Sequence, residues 1–207
     1  MLATLVLSGC ASNAISGNSS VPKDLITTAS QGESGMVFCS IGSNFSQGQG
    51  LSFRALGSTA EGHFYYTYAP PFFNSYDIKE GKSAISIKYA RLPPGDYELV
   101  DVGFYVNRSP MGETTYKSKE KFSIPFKVTA NKVTYLGSFM SQKIMGKTII
   151  GFPRDVGAYF VVTDQFDRDF AVLKTKDASV ETMSSNKMIL DPDAVQLPVF
   201  KSKVLSP

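Results

Sequence analysis

Ser83-Ala84-Ile85-Ser86-Ile87-Lys88-Tyr89-Ala90-Arg91-Leu92-Pro93-Pro94-Gly95-Asp96-Tyr97-Glu98-Leu99 is the stretch that decides how this chain folds. Ile85, Ile87 and Tyr89 share one face, with Ser86 and Lys88 on the other, the period of two that marks a strand. Pro-Pro-Gly then makes a tight turn, and Tyr97 and Leu99 carry the alternation into a second strand.

Short apolar runs separated by turn residues recur on both sides of this pair. They predict strands at about 36–41, 50–56, 63–68, 83–90, 96–106, 121–128, 132–140 and 156–163. Val133, Tyr135 and Phe139 repeat the one-faced pattern. Eight short strands without long helices between them predict a mostly β fold, a single antiparallel β-sandwich. One helix is expected near the C-terminal side. Thr163-Asp164 can cap Gln165 to Lys176, where Phe166, Phe170 and Leu173 form an apolar stripe. Asp164 and Asp167 near its start and Lys174 and Lys176 near its end suit the helix dipole. Its expected role is a lid over one end or edge of the sandwich.

Composition agrees. The 207 residues are 43% hydrophobic and 19% charged, with 15 Phe, 10 Tyr and no Trp. That profile suits one globular domain with flanking segments. A net charge of +3, mixed along the chain, argues against a nucleic-acid partner. No internal stretch approaches the roughly 18 apolar residues of a spanning helix, so any membrane attachment must come from an end.

Such an end is present. Met1–Cys10 reads MLATLVLSGC, an apolar run closed by small residues and a cysteine. Leu7-Ser8-Gly9-Cys10 resembles the bacterial lipobox. That resemblance implies a diacylglycerol on the Cys10 sulfur, cleavage before Cys10, and a membrane partner reached through the lipid. With no charge before Cys10 and a run shorter than a usual signal, the precursor is expected to begin further upstream. Ala11 rather than Asp after the cysteine resembles lipoproteins sorted to the outer membrane. Cys39 is the other cysteine. A buried small hydrophobe is one reading of it, an intermolecular disulfide another, and a Cys10–Cys39 disulfide in an unlipidated secreted protein a third.

The expected organisation is a signal remnant at 1–9, a lipidated Cys10 and flexible tether at 10–33, the sandwich with its helix at 34–176, and an irregular segment at 177–207. The tether is rich in Ser, Asn, Ala and Thr. As a coil it would hold the domain on the order of 25 Å from a bilayer. Arg91–Leu99 resembles the turn and strand of carboxypeptidase-regulatory and prealbumin-like sandwich modules. Val128–Phe139 looks like the late strand pair of small bacterial lipoproteins of that kind. Both likenesses imply a fold and bring no catalytic residue with them.

A search for chemistry returns little. His63 is the one histidine and has no Gly-x-Ser-x-Gly beside it. Gly146-Lys147-Thr148 lacks the first glycine of a P-loop, which should stand at Ser141. Ser118-x-x-Lys121 and Ser184-x-x-Lys187 lack companion motifs. Asp164, Asp167 and Asp169 diverge around a helix and read as its solvated start rather than a calcium site. No catalytic residue, metal ligand or cofactor is expected. The remaining feature is aromatic: His63–Tyr76 reads HFYYTYAPPFFNSY. On one reading Phe64, Tyr66 and Tyr68 face the core and the Phe72-Phe73-Tyr76 loop folds onto it. On the other, Tyr65, Phe72, Phe73 and Tyr76 form an exposed anchor for an envelope protein or a glycan. The function expected is a non-enzymatic envelope lipoprotein, with an envelope hydrolase as the alternative.

Overall fold

The computed structural model describes residues 19–21, 34–44, 48–66, 76–107, 113–118 and 121–204. All eight expected strands are present, with shifted ends, and the chain is mostly β. In order the strands are β1 (Ser19–Ser20), β2 (Gly35–Ser43), β3 (Gly48–Ala55), β4 (Gly62–Tyr66), β5 (Ile78–Glu80), β6 (Ser83–Leu92) and β7 (Gly95–Asn107). There follow β8 (Glu113–Lys117), β9 (Ile124–Val128), β10 (Lys132–Lys147), β11 (Pro153–Thr163), β12 (Ser184–Lys187) and β13 (Phe200–Lys201). Two helices, α1 (Phe166–Lys176) and α2 (Pro192–Val195), and a 3-10 turn at Ala178–Thr182 lie among the last of these.

The strands form two open sheets. The smaller runs β1-β4-β3-β7-β8, with β9 also on β7; the larger runs β13-β11-β10-β2-β6-β5, with β12 also on β10. The first departure from expectation is here, because the larger sheet is mixed. β2 lies parallel to β10, and β12 and β13 lie parallel to their neighbours. A strand in the middle of a mixed sheet is paired on both edges and is commonly covered on both faces. Every residue of β2 is buried.

The Pro-Pro corner does more than turn the chain. It carries it from β6 in the larger sheet to β7 in the smaller, and the Tyr97 hydroxyl donates to the Pro93 carbonyl at 2.9 Å. One apolar cluster draws on facing sides of both sheets, including Val37, Cys39, Ile41, Leu51, Phe53, Phe64, Val102, Phe139 and Phe160. Phe104 of β7 meets Phe160 of β11 with ring centroids 4.7 Å apart.

α1 lies over the face of the larger sheet that points away from this cluster, not over an end or edge. There Phe166, Phe170 and Leu173 close a second cluster with Met36, Phe38, Ile87, Tyr89, Val133 and Tyr135. The stripe at i, i+4 and i+7 is therefore the docking face it was read to be. What the pattern did not show is that β2 and β10 offer apolar side chains on both sides.

Asp169 is the second departure. Read as part of a solvated helix start, it is completely buried beneath α1. Its Oδ2 accepts from the Tyr135 hydroxyl at 2.6 Å and from Ser40 Oγ at 2.6 Å. Its Oδ1 pairs with Arg168, whose Nε and second guanidinium nitrogen lie 2.9 and 2.7 Å away. Asp167, two residues earlier, points to solvent, because neighbours two apart on a helix face opposite ways. The C-terminal segment is also more ordered than expected, since Val180, Leu190 and Phe200 are buried. Inside the segment read as a tether, Ser19–Ser20 pairs with β4 and Val21 is buried.

Removing one partner of a buried ion pair leaves the others unsatisfied in a dry site. Asp169→Ala should thus lower stability by about 3–5 kcal/mol, and Asp167→Ala by less than about 0.5 kcal/mol. Urea unfolding of the two variants measures both; equal, small effects would mean that the carboxylate is not buried as described.

Candidate functional site

The outer face of the smaller sheet carries the one sequence-singled aromatic that strand geometry fully places. Leu51, Phe53, Phe64, Val102 and Phe104 turn inward, so their neighbours Gly50, Ser52, His63, Tyr65, Asp101, Gly103 and Tyr105 turn outward. Strand register sets these in rows. Tyr65 stands opposite Gly50, Gly50 opposite Gly103, and Gly103 opposite Lys117. In the next row His63 stands opposite Ser52, and Ser52 opposite Asp101.

The two glycines matter because the rings lie across them. A Cβ on Gly50 would sit 2.9 Å from the Tyr65 ring, and one on Gly103 would sit 3.3 Å from the Tyr105 ring. Tyr65 and Tyr105 therefore fold over a floor without side chains, and their hydroxyls meet at 3.1 Å. Burial and the Tyr105 hydroxyl push the Tyr65 phenol up to about 12, so it stays protonated and keeps this bond. His63 tilts against the Tyr65 ring at 5.5 Å and shares a hydrogen bond of 2.9 Å between its Nδ1 and Ser52 Oγ. A register shift between Ser52 and Phe53 bulges β7 at this row, and Asp101 accepts there from the Val102 N–H at 2.8 Å. The Lys117 ammonium has no ion pair among the described residues.

The cup enclosed by these groups is about 70 Å³. A pocket that engulfs a small molecule takes roughly 300–1,000 Å³, so this one admits a single polar group of a ligand lying across the face. A wider cleft of about 300 Å³ opens on the larger sheet beside the start of α1, between Ser138, Gln142, Thr163, Gln165, Glu80 and Arg168. Its charged groups are already committed: Arg168 pairs with Glu80 at 2.9 Å as well as with Asp169. It reads as the open side of the α1 anchor.

Of the residues singled out in the sequence, Tyr65 is in the cup. Tyr76 is exposed, with the Lys79 ammonium 5.3 Å above its ring, and is not among the residues that line the cup. Phe72, Phe73 and Cys10 lie outside the described residues. Tyr105, Asp101, Ser52 and Lys117 were missed. Strand alternation in Asp101-Val102-Gly103-Phe104-Tyr105 could have put Tyr105 on the outer face, but which strand lies next to β4 is not written in either strand. Among the described residues no group of three His, Cys, Asp or Glu is placed to hold a metal. Cys39 is free and fully buried, and burial, with the Asp169 charge adding to it, drives its thiol far above the usual range.

No protein-family model and no curated protein matches the chain. A leucine-rich repeat protein from Bacteroides thetaiotaomicron VPI-5482 is similar in structure over 51% of this chain and 13% of that one, at 14% identity and a TM-score of 0.31. A likeness so low carries no argument about fold or function.

Two measurements test the site. Burial, the largest influence, lowers the His63 pKa from its ordinary 6.5. The unfolded chain then binds a proton that the folded chain resists, so this residue's contribution is complete above about pH 6.5 and is lost as the pH falls below it. His63→Gln should flatten that acid limb in urea unfolding followed across pH; an unchanged limb would show the ring to be solvated. Separately, the Cys39 thiol should react with an aromatic disulfide reagent only after denaturant is added, and prompt reaction in the native protein would contradict its burial.

Proposed function

We propose that this chain is a non-enzymatic lipoprotein of the bacterial cell envelope, a β-sandwich anchored to the outer membrane through an acylated Cys10 and binding a glycan across the outer face of its smaller sheet. The sandwich reading is supported by the single apolar cluster shared between the two sheets. The turn and strand at Arg91–Leu99 carry the likeness to carboxypeptidase-regulatory and prealbumin-like modules. The lipobox at Leu7–Cys10 supports the anchor. An unlipidated protein with a Cys10–Cys39 disulfide would have to bring Cys10 into the closed core around Cys39.

The observation that carries the binding reading is the pair of tyrosines laid over the Gly50–Gly103 floor. Two aromatic rings, the Lys117 ammonium, the Glu61 and Asp101 carboxylates and the His63 imidazole stand within one shallow patch. Rings cover the apolar face of a sugar, and the flanking polar groups meet its hydroxyls. The hydrolase reading draws on the Ser52–His63 contact. A working nucleophile needs N–H donors aimed at a developing oxyanion, and the backbone of β3 at Ser52 is engaged in the ladders to β4 and β7. The binding reading is therefore preferred.

Two outcomes follow. The native protein should incorporate labelled palmitate and enter the detergent phase, and Cys10→Ser should lose both; a Cys10→Ser protein that keeps its label would refute the anchor. In electrophoresis through gels loaded with envelope polysaccharide, Tyr65→Ala and Tyr105→Ala should each weaken retardation roughly tenfold. Retardation unaffected by either variant would remove the cup from the binding surface. Labelling of Ser52 by a fluorophosphonate would favour the hydrolase.

A further inference from the structure

The C-terminal part of β10 and the N-terminal part of β11 leave the larger sheet as a two-stranded arm. β10 last pairs with β2 at Ser141, opposite Ser43. Six further residues, paired among the described residues with β11 alone, carry it to Lys147, about 20 Å along the strand. The arm closes in a tight turn. The Gly151 N–H donates to the Thr148 carbonyl at 2.9 Å, Thr148 Oγ1 accepts from the Phe152 N–H at 3.0 Å, and Gly151 takes a φ of 85°. The corner positions of such turns are usually occupied by Gly, Pro, Asn, Asp or Ser. Here they are Ile149 and Ile150.

Nothing in the described chain covers them. Ile149 is 107% exposed, Ile150 78% and Phe152 65%, and Met145 and Val156 are exposed on the strands behind them. Large apolar side chains gathered at one exposed tip mark a contact site. Its charge says which kind. Between Gln142 and Ala158 the arm carries Lys143, Lys147, Arg154 and Asp155. Lys143 is paired with Asp155 at 2.9 Å, while Lys147 and Arg154, just behind the isoleucines, have no ion pair among the described residues. An apolar tip with a basic collar is complementary to an anionic bilayer, tails to tip and headgroups to collar.

The topology puts this tip at a particular end. β2 runs parallel to β10 and finishes at Ser43, five residues before β3 begins at Gly48. β4, antiparallel to β3, finishes at that end with Tyr66 opposite Gln49. β1, antiparallel to β4, is therefore entered from the same end, with Ser19 opposite Phe64. Cys10 is nine residues upstream of Ser19, a span of at most about 30 Å.

We propose that the β10–β11 arm is a membrane-inserting hairpin, placing Ile149, Ile150 and Phe152 in the acyl region of an anionic bilayer with Lys147 and Arg154 at its headgroups. The arm goes beyond the lipid anchor and does not require it, although an acylated Cys10 would draw this same end to the surface. Since the chain has no tryptophan, Phe152→Trp supplies a single reporter. The full chain carrying Cys10→Ser and Phe152→Trp is mixed with vesicles of equal phosphatidylglycerol and phosphatidylcholine. The emission should move to the blue and become quenchable by brominated acyl chains. Adding Ile149→Asp with Ile150→Asp should abolish the shift. Lys147→Gln with Arg154→Gln should weaken partition about 30-fold, the loss of two cations from an anionic surface. Emission that stays that of a water-exposed indole would overturn the proposal, as would a shift that survives the double aspartate variant. A shift without vesicles that grows with protein concentration would overturn it in favour of a second copy of the chain. Palmitate labelling of the wild type is read separately, so failure of the arm and failure of the anchor are distinct results.

Discussion

A carboxylate with no exposure to water sits between α1 and the sheet beneath it, and the layering of the molecule rests on how that group is held. Asp169 accepts from Tyr135 and Ser40 and pairs with Arg168. Taking a charge out of water costs several kcal/mol, which is offset only when its lone pairs are filled with good geometry. Those donors come from β2, from β10 and from α1 itself. The network ties α1 to β2 and β10 in this seating, while Phe166, Phe170 and Leu173 supply the area that is buried.

That seating divides the roles of the two outer faces. With α1 and the 3-10 turn across it, much of the outer face of the larger sheet becomes a second core, and its central strands need apolar residues at successive positions. The smaller sheet carries the cup on its outer face, which no described residue packs over. There the pairing of Gly50 with Gly103 removes two side chains from the middle of the face, and the flanking tyrosines lie down into the gap. The cup is thus a consequence of backbone register as much as of the residues that line it.

The arm and the cup differ in what they ask of the chain. A cup needs rigid strands on either side, and β3 and β7 are paired on both edges. The arm instead reaches past the sheet: β10 continues beyond the end of β2, laddered among the described residues to β11 alone. Gly146-Lys147-Thr148, which resembles the end of a phosphate-binding loop in its letters, belongs to this hairpin. Its Thr148 hydroxyl accepts from the Phe152 N–H and closes the turn.

Local patterning determined the strands of this protein. Alternation in Ser83–Tyr89 and Val133–Phe139 is a property of neighbours in the chain, and so is the apolar stripe of α1, so both were legible without a structure. The Pro-Pro-Gly corner was legible as a turn, but not as the crossing between two sheets. Burial was one of three readings of Cys39, and the fold placed its thiol in the core. Tyr65 was legible as outward, because it alternates with Phe64. Tertiary structure alone decided the rest. Parallel pairing of β2 with β10 joins residues about a hundred positions apart, and no local period encodes it. Asp167 and Asp169 are the same residue type on the same helix, yet one is solvated and one is buried, because only the second faces Tyr135 and Ser40. Tyr105 reaches Tyr65 only because β3 lies between β4 and β7. Burial, ion pairing and the meeting of side chains across strands depend on which segments become neighbours, and that is settled when the sheets assemble rather than when the strands form.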